Sequence, residues 1–170
     1  TFFALIAIWY NTFKFHRRFG LEDGYTIFLT SALIFVVLFY IYPLKFMAQI
    51  VINQMILQNS FNIEFDIGFV GNIDIPHLFI VYGMGVFFIW LILGLMYLHA
   101  YNKRDILELD QNELLITTDT IVANFTLLLI PMLSILFVVL NIEYVSGWIY
   151  CAISPLISFA LYIKKKLYQV

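Results

Sequence analysis

The sequence predicts an all-α fold, a polytopic helical membrane protein, and three observations carry that prediction. Of 170 residues, 63% are hydrophobic and 12% charged, where a soluble domain is about a quarter charged. The mean hydropathy is +0.94. The apolar residues also form continuous runs rather than alternating with polar ones. In lipid every backbone group must be paired internally, so continuous runs select helices over a barrel. A chain of this length is expected to form one domain, residues 1–170.

A bilayer core about 30 Å thick takes roughly 20 apolar residues to cross. The run 1–15 reads as the second half of a helix, because Thr1 already lies inside it. The next spans are expected at about 25–47, 78–101, 120–142 and 147–163. With the first helix restored, five visible spans become six. The turn at 19–24 is tight and makes an antiparallel helix pair. Residues 48–76 form a long external segment in which FNIEFDIGF alternates like a strand or an interfacial element. Residues 102–116, NKRDILELDQNELLI, form a charged connector ahead of the fourth span.

The positive charges set the orientation. Lys14, Arg17 and Arg18 follow the first span, Lys103 and Arg104 the third, and Lys164, Lys165 and Lys166 the fifth. Alternating topology puts these eight of the nine Lys and Arg on one side, leaving only Lys45 toward the other. By the positive-inside rule the crowded side is cytoplasmic. The C-terminus is then inside, and these residues serve topology and headgroup contact.

Catalytic and metal chemistry find little support. His16, His77 and His99 lie far apart near span ends, and read as interface histidines. Cys151 is the one cysteine, within a span. The sequence carries no HExxH, GxSxG, phosphate-loop or CxxC pattern. No enzyme activity, cofactor, metal or nucleic-acid partner is expected. Asp119 reads as an N-cap or first-turn acid of the fourth span. Asn124, Thr126, Ser134 and Asn141 suit hydrogen bonds between helices, and Gly83, Gly85 and Gly94 suit close packing. Pro131 and Pro155 are expected to kink their spans. No TVGYG-type filter is present.

Several segments, taken in order, carry a resemblance. In IAIWYNTFKFHRRFGLEDGYTIFL, Trp9, Asn11 and Asp23 match a Trp-x-Asn-His pattern followed by a basic turn and an Asp. IVYGMGVFFIWLILGLMYLHAYNKRDIL, LLLIPMLSILFVVL and YCAISPLISFALYI follow like three later helices. The chain thereby resembles the bacterial branch of the transmembrane protein 175 family, the potassium channels known from lysosomes in animals. Thr12 stands where the family usually has His, and the family's Arg…Phe-Ser-Asp helix does not occur in this sequence. The resemblance implies a homotetrameric channel conducting potassium past a constriction of bulky aliphatic side chains on that first helix. Trp9, Asn11 and Asp23 would then form a polar network supporting it. A non-conducting membrane scaffold and a secondary transporter are the alternatives. The transporter is disfavoured because the visible spans hold almost no ionisable residue.

Overall fold

The computed structural model describes residues 2–52, 75–140, 149 and 153–168. Among the described residues six α-helices follow one another: α1 (Phe2–Phe19), α2 (Gly24–Ile52), α3 (Ile75–Asn102), α4 (Gln111–Leu127), α5 (Leu129–Val139) and α6 (Ile153–Tyr168). The all-α expectation holds, with no strand among the described residues. Gly24–Tyr42, Phe79–Asn102 and Gln111–Val139 are long and apolar enough to cross a bilayer. The protein is a multi-pass membrane protein. The helices α1 and α6, of 18 and 16 residues with basic last turns, overlap the stretches 1–15 and 147–163 read from the sequence as the first and fifth spans. FNIEFDIGF and Asn141 lie outside the described residues.

The centre of the fold is α3. It packs against α2, α4 and α5 and touches α1, while α6 packs on α4. Ile89, Leu93, Met96, Tyr97 and Ala100 make its buried stripe, recurring three and four residues apart as a helix face requires. On α2 the matching stripe is Leu29, Leu33 and Tyr40. Lipid tails are as apolar as these side chains, so close van der Waals contact, not escape from water, holds the helices together. Two glycines allow that contact. A Cβ at Gly85 would clash with the edge of the Tyr40 ring of α2, and one at Gly83 would press on Ile135 of α5 at 2.8 Å.

The turn after α1 has a local cause. Gly20 takes φ +54 and its N–H donates to the His16 carbonyl at 3.0 Å, a left-handed helix stop that glycine adopts without steric cost. Phe15 and Phe19 then bury themselves beside Tyr97, with ring centroids 5.3 and 5.8 Å away. Such edge contacts add about 1 kcal/mol each.

Three expectations change. First, the fourth span starts nine residues earlier than the apolar run. Asp110 caps α4, and its N–H donates to the Glu113 side chain at 3.3 Å, a capping box written in DQNE. Asp119 is therefore in mid-helix and not an N-cap. At 1.5 Å per residue the 29 residues of Gln111–Val139 reach about 43 Å, so the first turns project beyond a core of about 30 Å. Second, the break at Leu128 is mild, its φ −65 and ψ −26 remaining helical. Pro131 lacks the N–H that would reach the Leu127 carbonyl and its ring crowds that carbonyl, which accounts for the interruption. Third, Pro155 falls in the first turn of α6, where a missing N–H costs no intrahelical bond and no kink follows.

Candidate functional site

The polar contacts gather at one end, where the turn between α1 and α2 meets the last turn of α3. Asp23 immediately precedes α2. Its Oδ2 accepts a bond from Lys103 Nζ at 3.0 Å and lies 2.7 Å from His99 Nε2. The Thr26 hydroxyl donates to its other oxygen. The spacing explains the geometry. His99 and Lys103 are four residues apart on one helical face, and Thr26 is three residues beyond Asp23, in the first turn of α2. The Tyr25 ring covers His99 with 4.6 Å between centroids. The Thr26 hydroxyl, with the Lys103 ammonium and the His99 ring, holds the Asp23 carboxyl well below the usual carboxylate range, against an opposing push from burial. The clasp thus joins the α1–α2 hairpin to α3 across 76 and 80 residues of sequence.

A second contact joins α6 to α4. Lys164 Nζ donates to the Asp119 carboxylate and, at 2.6 Å, to the Thr118 hydroxyl. The Lys164 side chain is 13% exposed and that of Asp119 is 50% exposed, so the lysine stem is packed while the carboxylate still meets solvent or headgroups. Arg104 lies over the Tyr101 ring at 5.0 Å and beside Asp105 at 3.7 Å. Lys14 lies over Tyr10 at 4.4 Å. Arg17, Arg18, Lys165 and Lys166 are exposed. These pairings place the basic clusters after α1, α3 and α6 at a common end, as the alternating topology requires.

Trp9, Asn11 and Asp23 are not brought together. Trp9 is 66% exposed and stacks on Phe13 of its own helix at 5.6 Å. Asn11 Nδ2 donates back to the Ala7 carbonyl at 2.9 Å, and Thr12 does the same to Ile8 at 3.0 Å. Ile6, Trp9, Tyr10 and Phe13 leave an exposed apolar face on α1. Sequence reasoning missed His99 as a partner of Asp23 and Lys164 as a partner of Asp119. The signal was present, since each pair sets opposite charges, or an acid and a histidine, on the side that topology assigns to both.

No family model matches the chain. A curated protein of Marivirga tractuosa, named as a potassium channel, is 36% identical over 141 residues, 81% of this chain and 56% of that relative. The chain thus spans a little over half the length of the curated relative. A solved structure of a variant of the potassium channel MtTMEM175, in complex with a Nanobody-MBP fusion protein, matches with a TM-score of 0.84 and 31% identity, over 96% of this chain and 74% of that one. Likeness in both sequence and fold, at 31% identity over 74% of that solved channel, makes this chain a member of the transmembrane protein 175 family.

Proposed function

We propose that the protein is a passive, potassium-selective cation channel, with the potassium ion as its permeant species and no catalytic role. The observation that carries this reading is the match to the potassium channel MtTMEM175 over 96% of the chain. In this reading four copies surround one axis, and ions pass a hydrophobic constriction on a helix preceding α1. The exposed face of α1 around Trp9, with Asn11, supports that helix, and the Asp23 clasp fixes the angle at which α1 leaves α2. The basic end faces the cytoplasm of a bacterial inner membrane, with the C-terminus inside and Lys14, Arg17, Arg18, Lys103, Arg104, Lys164, Lys165 and Lys166 near the headgroups.

The test uses the protein at its native length in liposomes loaded with potassium. Potassium is expected to leave without any proton or sodium gradient, and Trp9→Ala and Asn11→Ala are expected to reduce the flux in protein that still folds. Efflux that needs a coupling gradient would instead indicate a transporter. Tight vesicles at high protein density would indicate a scaffold.

A further inference from the structure

Between the last turn of α1 and the first two turns of α2 lies an open groove of about 400 Å³, lined by His16, Glu22, Thr26, Ile27, Thr30 and Ser31 among others. We infer that this groove holds the headgroup of a primary-ammonium lipid, a phosphatidylethanolamine, with its amine on Glu22 and an acyl chain running down α2. The lining charge is the first argument. Glu22 is the acid on this wall, and no lysine or arginine lines it. Its carboxylate has no hydrogen bond or ion pair among the described residues. A carboxylate can only accept, so it selects a group that is positive and carries N–H donors, which a trimethylammonium lacks. The other polar groups are the second argument. The Thr26 hydroxyl is committed to Asp23, and the Thr30 hydroxyl stands 3.3 Å from His16 Nε2. Among the described residues the Ser31 hydroxyl is left over, open to a headgroup oxygen. Depth is the third. The apolar span of α2 begins at Gly24. Glu22 lies just outside it, and Ser31, seven residues on, lies about 10 Å within it. Ile27, Ser31, Ile34 and Leu38 form one row of the helix, and its apolar members are 59%, 56% and 59% exposed. That row continues the groove into the bilayer as a track for an acyl chain. A bare metal ion fits less well. The volume far exceeds the roughly 30 Å³ share of one water, and no group of three His, Cys, Asp or Glu gathers among the described residues.

The inference rests on the membrane reading and not on ion conduction, so it is read from lipid retention. The native-length protein in detergent is mixed with phosphatidylethanolamine, its N-methyl and N,N-dimethyl forms, phosphatidylcholine or phosphatidylglycerol, all of equal chain length. Bound lipid is counted by native mass spectrometry. Phosphatidylethanolamine is expected to be held best, with retention falling at each added methyl as a donor is lost. Glu22→Gln is expected to lower its retention about fivefold, the effect of one interfacial charge, and to erase the preference over phosphatidylcholine. Ser31→Phe, which fills the groove and keeps Glu22, is expected to lower it too; if that variant unfolds, Ser31→Leu replaces it. Glu108→Gln, an exposed acid of the connector outside the groove, is expected to leave it unchanged. Four results overturn the inference. Equal retention of phosphatidylethanolamine and phosphatidylcholine removes the ammonium donors. Preferred phosphatidylglycerol signals an anion site. Equal loss from Glu108→Gln signals diffuse charge. A changed subunit count in Glu22→Gln with lipid retention intact signals that a second copy of the chain, and not a lipid, covers the groove.

Discussion

Asp23 ties the α1–α2 turn to both α2 and α3. Its carboxylate meets a hydroxyl of α2 and two donors at the end of α3. Asp23→Asn weakens the charge-assisted bonds and is expected to cost on the order of 1 kcal/mol, because the clasp is partly open to water. Thermal unfolding in detergent measures it, and an unchanged midpoint would remove Asp23 from the account of stability. The same residue sets a pH dependence. A carboxyl whose folded-state pKa lies below its ordinary value of 3.8 stabilises fully above that value, and the stabilisation is lost as pH falls below it. The acid limb of stability below about pH 4 is therefore expected to be shallower in Asp23→Asn. Lys164 presents the contrasting case. Its stem is packed and its partner is half-exposed, so Lys164→Met is expected to cost less than Lys164→Ala, and a double-mutant cycle with Asp119→Asn should give a coupling below about 1 kcal/mol. None of these pairings could be read from local sequence, since Asp23 and His99 are 76 positions apart. What could be read was the side of the membrane each one shares.

At the scale of the helix, the glycines divide by what surrounds them. Gly85 lies against the Tyr40 ring, whereas a Cβ at Gly94 would meet Phe125 at 3.5 Å, an ordinary contact. Gly85→Ala is expected to destabilise the protein by about 1–3 kcal/mol through overpacking. Gly94→Ala is expected to be neutral or stabilising, since alanine is the better helix former by up to about 1 kcal/mol. The melting temperature should therefore fall for Gly85→Ala and hold or rise for Gly94→Ala, and an equal fall in both would contradict the packing described. From sequence all three glycines suggested close approach; only the geometry separates them. The same holds for the prolines. Pro131 interrupts a helix because a turn precedes it, and Pro155 does not because it sits in a first turn. The start of α4 was missed for a related reason. Apolar runs mark the lipid-facing length of a helix, whereas a capping box at Asp110 and Glu113 marks where it begins, and the two differ by nine residues.

At the scale of the molecule, the fold class and the helix order were legible because lipid leaves a continuous apolar run few choices but a helix. The common end of the basic clusters was legible for the same physical reason, charge being expensive elsewhere. The hub role of α3 was less legible. Hydropathy does not distinguish a helix surrounded by protein from one facing lipid, and Gly24–Tyr42, Phe79–Asn102 and Gln111–Val139 have similar mean hydropathy, 2.1, 2.3 and 2.4. Trp9 and Asn11 lie on α1, where Trp9 is 66% exposed and Asn11 bonds only to its own helix among the described contacts, so the roles proposed for them are tested only in the protein at its native length. The central claim is selective, passive conduction. Its most direct test is the reversal potential of the native-length protein in a planar bilayer, with potassium on one side and sodium on the other. The account predicts a current whose reversal potential is displaced toward the potassium equilibrium potential. A current reversing at zero, or a silent bilayer into which protein has demonstrably inserted, would contradict it.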